Sequence, residues 1–188
     1  MKHLFLSFAP PEKWRDGKSR NIESEEWQII RRKILERDNH TCAYCGYKSQ
    51  KYQIIDHIDG NPKNDKDTNL QVVCQMCNLI KHSGQGCEIR GIVDLYKESK
   101  YPQNEIIKIT REMRDKGKTD SEIIIFLGLK SKVTFKMNRN YLKNLFGFIT
   151  SRRGLQEEGK RDMYNSWLDH HSREVENEKR SNQEHTSI

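Results

Sequence analysis

The chain has 188 residues, 34% of them hydrophobic and 32% charged, so it can form one ordinary domain or two small ones with little apolar material to bury. Its net charge of +7 favours a polyanionic partner. The apolar start is too short for a signal peptide and runs into Pro10 and Pro11, and no segment approaches the length of a membrane span. These features exclude a membrane protein, and we expect a cytoplasmic one.

The first part of the chain predicts an arm followed by a helix. Residues 1–22 have no period and are expected to be irregular. Ser24 is a suitable helix N-cap, and the apolar residues after it recur at helical spacing, at Trp27, Ile30 and Ile34. This helix should end near Asp38 and pack on the segment that follows. We expect its basic outer face to be solvated rather than bound to phosphate.

Two Cys-x-x-Cys pairs are the strongest chemical signal in the sequence, Cys42 with Cys45 and Cys74 with Cys77. Two cysteines at this spacing can bind one metal ion through a tight turn, so the pairs together predict a tetrahedral zinc site. Thiolate ligands also indicate a reducing compartment rather than a disulfide scaffold. Cys87 is left over and is expected to be a small, partly buried residue.

The segment between the cysteine pairs predicts two strands, and a helix is predicted to follow them. Residues 52–58 are rich in β-forming side chains and precede a turn cluster at 60–62, and residues 70–73 read as a second strand. A helix is expected from Cys77 onward. The predicted fold class is α+β, with a zinc-stapled ββα module over residues 23–90.

The order of the polar residues around these elements resembles that of the HNH, or ββα-metal, nuclease family. The features that carry the resemblance are the zinc cysteines, an Asp-His pair, an Asn in the next loop and a Cys-x-x-Cys-Asn-x-x-Lys run, namely Asp56, His57, Asn69, Asn78 and Lys81. The resemblance covers roughly residues 30–85. It implies hydrolysis of phosphodiester bonds with the help of a divalent cation.

By this resemblance, Asp56 ligates the cation, His57 is the general base that activates water, and Asn69 braces the loop. A neutral imidazole can accept a proton at physiological pH. Strict alternation along a strand would direct Asp56 and His57 to opposite faces, so we expect a twisted or bulged strand end to bring them together. The carbonyl oxygen of Asn78 is a suitable ligand for Mg²⁺.

Many family members carry His at the position of Asn78. His82, one helical turn later, could be a further ligand, a phosphate contact or a surface residue, and Lys81 could contact phosphate or be solvated. An oxygen-only site favours Mg²⁺, whereas an added imidazole admits Mn²⁺. The sequence therefore predicts structural Zn²⁺ and a catalytic Mg²⁺ or Mn²⁺.

The excess positive charge lies downstream of the zinc module. Residues 101–153 contain 12 Lys or Arg against 5 Asp or Glu, and the rest of the chain balances at 22 against 22. After a short helix and linker over 89–101, residues 101–152 predict a basic helical region in which a helix, a turn at Gly128 and a second helix from Lys132 to about Asn144 resemble a helix-turn-helix. Its expected DNA contacts are Lys132, Lys136 and Arg139. A plain three-helix support domain is the alternative, and residues 153–188 predict a polar helical tail with a disordered end.

These features predict a metal-dependent DNA endonuclease, in particular a sequence-specific restriction-type enzyme that acts as a homodimer on double-stranded DNA in a bacterial or phage-infected cell. One alternative is a nicking or homing endonuclease. The other is a non-catalytic zinc-ribbon and helix-turn-helix regulator, in which the polar residues between the cysteines have no catalytic role.

Overall fold

A computed structural model describes residues 1–8 and 24–151. The predicted tail at 153–188 and most of the predicted arm lie outside these residues. In chain order, the helices and strands are α1 (Glu25–Arg37), β1 (Gln53–His57), β2 (Leu70–Cys74), α2 (Gln75–Lys81), β3 (Val93–Glu98), α3 (Gln103–Asp115), α4 (Asp120–Leu127), β4 (Lys130–Val133), α5 (Arg139–Lys143) and β5 (Phe146–Ile149). None of the helices in the described ranges has the length and apolar character needed to cross a bilayer.

The predicted ββα unit is confirmed. β1 and β2 pair antiparallel with Asp56 opposite Gln71, and α2 follows β2 directly. Because neighbouring side chains of a strand face opposite sides, the hairpin contributes to two cores. Ile55 and Val72 pack against α1, whereas Val73 belongs to the core that contains α2.

Helix α1 begins and ends as the sequence predicts. The Ser24 hydroxyl accepts a hydrogen bond from the Trp27 amide at 3.3 Å, and the helix ends at Arg37. Part of the basic face is not simply solvated, because two of its guanidinium groups donate to backbone carbonyls of the hairpin. Arg31 reaches the Gln53 oxygen at 2.8 Å, and Arg37 reaches the Leu70 oxygen at 2.8 Å. These contacts fasten α1 to both strands.

A second, three-stranded antiparallel sheet has the order β4-β3-β5. The prediction of a short helix and a linker over residues 89–101 is wrong for residues 93–98, which form β3. Val93 and Leu95 alternate with the more exposed Asp94, which is the pattern of a strand with one buried face. The region 101–152 is likewise not purely helical, because it contributes β4 and β5 to this sheet.

The predicted second helix of a helix-turn-helix is also wrong. Helix α4 carries a capping box between Thr119 and Glu122 and is capped by Gly128, whose φ of 65° lies in the left-handed region that favours glycine. The chain then enters β4, where Val133 pairs with Leu95. Of the helix expected from Lys132 to Asn144, only the five residues of α5 are helical. A helix-turn-helix is therefore not confirmed.

One core joins the two sheets. Ile80 of α2 and Leu142 of α5 are completely buried in it together with Leu4 of the N-terminal segment, which we define as residues 1–8. At Gly147 of β5 an added Cβ would lie 2.6 Å from the Ile80 side chain, so glycine lets β5 approach α2 closely. Through these buried side chains, the N-terminal segment, α2 and α5 pack together in one core.

Candidate active site

The four cysteines of the two Cys-x-x-Cys pairs converge. Cys42 and Cys45 lie in a turn closed by a 3.0 Å bond from the Gly46 amide to the Cys42 oxygen, while Cys74 ends β2 and Cys77 lies in the first turn of α2. Their sulfur atoms are all within 4.8 Å of one another, and Cys45 Sγ lies 3.6 Å from Cys74 Sγ. Zinc–sulfur bonds of about 2.3 Å place tetrahedral ligands about 3.8 Å apart. The cluster therefore has the dimensions of a zinc site.

The acid–base properties of the cluster also suit a bound cation. Hydrogen bonds from Cys45, Cys74 and Cys77 lower the pKa of the Cys42 thiol, whereas the interaction with Cys42 raises the pKa of Cys77. Without a metal, a first thiolate thus keeps its neighbours protonated. A bound Zn²⁺ removes this conflict because each sulfur can then be a thiolate ligand.

Arg111 of α3 connects the zinc cluster to the second sheet. Its Nη2 lies 3.4 Å from Cys74 Sγ, and its guanidinium carbon lies 3.6 Å from the centre of the Tyr47 ring. A cation beside a metal-bound thiolate reduces the net negative charge of the site. Sequence reasoning did not identify Arg111 as a neighbour of Cys74, because α3 is distant from Cys74 in the chain.

Asp56 lies in a buried cluster of polar groups on the α2 side of the hairpin. Its side chain accepts hydrogen bonds from Lys81 Nζ at 2.6 Å and Gln71 Nε2 at 2.8 Å, and Oδ1 lies 3.4 Å from His82 Nε2. Burial alone would raise the pKa of Asp56, but the hydrogen bond with His82 and the charge of Lys81 outweigh it and hold the pKa below its usual range. Asp56 is therefore ionised at neutral pH.

Gln71 and Tyr44 complete this cluster and were also missed. Gln71 Nε2 lies 2.9 Å from the Tyr44 hydroxyl oxygen, and Gln71 Oε1 accepts from Lys2 Nζ at 2.7 Å. The pairing of Asp56 with Gln71 across the hairpin was the available signal, because directly opposite residues share a face.

His57 does not share these partners. Its Nε2 lies 2.8 Å from Asp65 Oδ1, and its ring lies beside the Trp27 ring of α1, with centroids 6.4 Å apart and planes 14° from parallel. The alternation of β1 directs the ring to the α1 side, while the neighbouring Asp56 side chain faces α2. The expected bulge that would bring the two side chains to the same set of partners is not present, because β1 and β2 pair without interruption.

Asn69 holds the loop that connects β1 and β2. Its Oδ1 accepts from the Asp59 amide at 3.1 Å, and its Nδ2 donates to the Asp59 carboxylate at 2.9 Å and to the Asn64 oxygen at 2.8 Å. The hydrogen bond from the Asn61 amide, followed by those from the Asn64 and Asn69 side chains, holds the pKa of Asp59 at about 2. Asn69 thus makes the hydrogen bonds expected of a residue that holds this loop in place.

Among the candidates on α2 and at its end, Lys81 and His82 reach Asp56. Lys81 Nζ also donates to the His57 oxygen at 2.6 Å, so one ammonium connects two consecutive residues of β1. Asn78 lies half-buried one helical turn before His82. Lys81 in the last turn of α2 and His82 at its end are therefore the two side chains that approach the buried carboxylate from this helix.

The family model described as HNH endonuclease matches residues 42–84, the range that contains both cysteine pairs, Asp56, His57 and His82. Residues 42–84 are an HNH domain. Similarity to a known protein covers only part of the chain. A stretch of 69 residues is 36% identical to the type 4 apparatus protein DotN of Legionella pneumophila, and it covers 37% of this chain and 32% of DotN. The chain thus matches about a third of the length of that relative.

A cavity of about 540 Å³ opens beside the HNH domain. The domain contributes Tyr44, Lys81, His82 and the loop from Ile58 to Gly60 to its walls, and the N-terminal segment and α5 contribute the rest. Lys81 and His82 both contact Asp56, so two residues of the cavity wall connect it to the buried carboxylate.

The three DNA contacts predicted in the basic region 101–152 lie in different surroundings. Arg139 of α5 lines the cavity beside the HNH domain, with its guanidinium carbon 5.7 Å from the centre of the Phe8 ring. Lys132 instead forms an ion pair with Asp94 at 2.8 Å, and Lys136 lies 5.7 Å above the Tyr141 ring. Of the three, Arg139 is therefore the one placed next to the cluster around Asp56.

Proposed function

We propose that this chain is a metal-dependent DNA endonuclease that hydrolyses phosphodiester bonds. The observation that carries the proposal is the buried Asp56 carboxylate, whose partners Lys81 and His82, at 2.6 Å and 3.4 Å, form part of the wall of a cavity with basic side chains. A phosphodiester repels nucleophiles because of its charge, so a nuclease needs a cation and a base beside the scissile phosphate. The family match at residues 42–84 supports this chemistry.

Asp56 and His82 are the side chains that would hold the divalent ion. Their facing oxygen and nitrogen atoms are 3.4 Å apart, a separation compatible with two ligands of one ion at about 2.1 Å each. When bound, such an ion supplies positive charge to the phosphate and favours a hydroxide nucleophile. The imidazole makes Mn²⁺ a suitable ion as well as Mg²⁺, and Asn78 remains a proposed additional ligand.

His57 is the proposed general base. Asp65 holds its Nε2 at 2.8 Å and thereby fixes the orientation of the ring, which is the usual role of a carboxylate beside a catalytic imidazole. The remaining nitrogen would take the proton from water, provided that the ring, which packs beside Trp27 and is not part of the cavity lining, turns towards the phosphate when the strand binds. Lys81 would stabilise negative charge, provided that it exchanges its bond to Asp56 for one to the phosphate.

Plasmid cleavage with added Mg²⁺ or Mn²⁺ tests this proposal. We expect the wild type to cut, and Asp56→Asn, His57→Ala and His82→Ala each to lose at least about 100-fold in rate, the scale of a general base or an electrostatic contact. Asp115→Asn on the exposed end of α3 is the matched control and should cut normally. Zinc content must stay unchanged in all variants. Cleavage by His57→Ala at the wild-type rate would refute the base assignment.

Restriction-type cleavage and a homodimer are further parts of this proposal. One ββα site cuts one strand, so a double-strand break requires two copies or two sequential nicks. Sequencing of the cleaved ends of genomic DNA would distinguish paired, sequence-specific cuts from scattered nicks.

A second candidate function is a non-catalytic, zinc-stabilised binding module. The observation in its favour is Lys81, whose ammonium already neutralises Asp56 at 2.6 Å and also bonds to the His57 oxygen. DotN is named as an apparatus protein, which is compatible with a structural use of such a domain. Calorimetric titration of the zinc-loaded protein with Mn²⁺ separates the two. Binding of one Mn²⁺ that Asp56→Asn abolishes supports the nuclease, and absence of binding together with absence of cleavage supports the module.

A further inference from the structure

The cavity beside the HNH domain has the charge of a polyanion-binding groove. Its described lining includes five basic side chains and one carboxylate, that of Asp59. The basic groups lie on three different parts of the fold, at His3, Lys81, His82, Arg139 and Lys143. Charge from separate elements converges here, which distinguishes this groove from the solvated face of a single helix.

An exposed aromatic pair lies at the wall of the groove. Phe5 is 52% exposed although its neighbours Leu4 and Leu6 are buried. The His3 ring stacks on Phe5 with centroids 4.2 Å apart and planes 3° from parallel. An aromatic side chain held in solvent loses hydrophobic stabilisation, so its placement beside cationic groups indicates a stacking partner.

The backbone around this pair is firmly attached. The Lys2 amide donates to the Ala43 oxygen at 2.8 Å, the Leu4 amide to Asn104 Oδ1 at 2.9 Å, and the Ser83 amide to the Ser7 oxygen at 2.9 Å. With Leu4 and Leu6 anchored in the core, Phe5 has a fixed position. A rigid ring costs little conformational entropy on binding.

The groove continues on the other side of the aromatic pair. A second cavity of about 510 Å³ shares His3, Phe5 and Lys143 with the first and extends to Lys100 and Tyr101. Phe5 and His3 therefore lie between two adjoining spaces, with a cation at each end of the path. This arrangement suits an extended chain of phosphates with an aromatic group between them.

We propose that this groove binds a single-stranded stretch of DNA, with one base stacked on the Phe5–His3 pair and the phosphates directed along Arg139 and Lys143 towards His82. A duplex keeps the faces of its bases inside the helix, whereas a single strand offers them to aromatic side chains. The proposal rests on the proposed nuclease function for the role of the strand, because it names the substrate as DNA that is unpaired beside the cut. The binding itself can be measured without cleavage.

Fluorescence anisotropy of the full, zinc-loaded chain, without added divalent ion, provides the test. The probes are a labelled oligothymidine of about twelve nucleotides, a blunt duplex of equal length and an abasic strand of equal length. We expect the oligothymidine to bind at least about 10-fold more tightly than either of the others, since stacking of one base is typically worth this much. The abasic strand separates stacking from charge, because it keeps the phosphates.

Variants of the exposed ring make the test specific. Phe5→Ala should weaken oligothymidine binding about 10-fold, and Phe5→Trp should retain it. Tyr52→Ala is the matched control, because Tyr52 is 78% exposed and is not part of the groove lining. Wild-type binding by Phe5→Ala, or equal affinity for the three probes, would overturn the proposal. An unchanged thermal midpoint and zinc content confirm that each variant is folded.

The basic wall gives a second, independent measurement. Arg139→Gln with Lys143→Gln should lower the salt dependence of binding, whereas Lys97→Gln with Lys116→Gln, two exposed lysines elsewhere, should leave it unchanged. Equal slopes for both pairs would contradict the placement of the strand. A protein that binds the oligothymidine in this way but never cuts DNA would refute the nuclease proposal and leave the groove assignment intact.

Discussion

The two sheets of this chain are stabilised by different means. The β1–β2 hairpin has only two strands, and four cysteine sulfurs surround the point where it meets α2. The β4-β3-β5 sheet has no such cluster among its described residues and is covered by α3 and α4, with Ile106, Ile123, Leu127 and Phe148 completely buried. A two-stranded hairpin is marginal alone, so we expect the first region to depend on metal coordination and the second on packing.

The largest expected effect tests the dependence of the hairpin on metal. Cys77→Ser removes one of four ligands, and structural zinc sites of this kind contribute on the order of 10 kcal/mol to folding. We expect zinc content to fall towards zero and the amides of β1 and β2 to lose protection in hydrogen exchange.

Cys87→Ser is the matched control, because Cys87 lies outside the four-sulfur cluster. It should keep one zinc per chain. Full protection of β1 and β2 in the zinc-free Cys77→Ser protein would show that packing alone holds the hairpin, and the contrast between the two sheets would disappear.

A smaller effect is expected from the packed region. Phe148→Ala should lower the free energy of unfolding by about 3–5 kcal/mol, because Phe148 is completely buried and the cavity is only partly refilled. Zinc content should not change. Phe126→Ala, at a side chain that is 49% exposed, should cost less than about 1 kcal/mol in the same urea titration. Zinc loss on Phe148→Ala would mean that the two regions do not differ in the way described.

The smallest effect concerns a polar link within the packed region. Asp120 accepts from Arg114 Nη2 at 2.7 Å and from the Ser151 amide at 2.6 Å. Burial acts to raise the pKa of Asp120, but these bonds outweigh it and hold the pKa below its usual range. A lowered folded-state pKa stabilises the protein fully above the unfolded value of about 3.9, and this contribution is lost as pH falls through the folded value.

Asp120→Asn should therefore cost about 1 kcal/mol near neutral pH, the typical net contribution of one hydrogen bond, because the amide can keep part of the network. The difference from the wild type should shrink in acid below the folded-state pKa. Asp115→Asn, at an exposed position, should show no such pH dependence in parallel urea titrations. A constant difference at all pH values would show that Asp120 contributes through packing rather than charge.

The difference between the two regions also explains which parts of the fold could be predicted from the sequence. The four-cysteine cluster and the ββα unit could be predicted from short spacings in the sequence, because metal coordination restricts which residue types can occupy the ligand positions. The second sheet depends on pairing between β3 and strands more than thirty residues away, which no local pattern specifies. The lysines of β4 suggested a DNA-reading helix, yet Val133, Thr134 and Phe135 are β-forming residues, and exposed lysines are common on edge strands.

The sequence identified the residues of the candidate site better than it predicted which of them lie close together. Asp56, His57 and His82 were all identified from sequence order, and three roles were left open for His82: a further ligand, a phosphate contact or a surface residue. Their grouping could not be known, because the contact of His82 with Asp56 joins residues 26 positions apart and the regular pairing of β1 separates His57 from Asp56. Asp65, the partner of His57, lies in the loop that was expected only to connect the strands.

The parallel rings of Trp27 and His57 give the protein an intrinsic optical reporter. A protonated imidazole quenches indole emission far more than a neutral one, so the fluorescence of Trp27 follows the charge of the proposed base. Replacing Trp14 and Trp167 by Phe isolates this signal, since the chain contains three tryptophans. Titrating that variant with acid, first alone and then with oligonucleotide, would show when the base becomes charged and whether an arriving strand changes it.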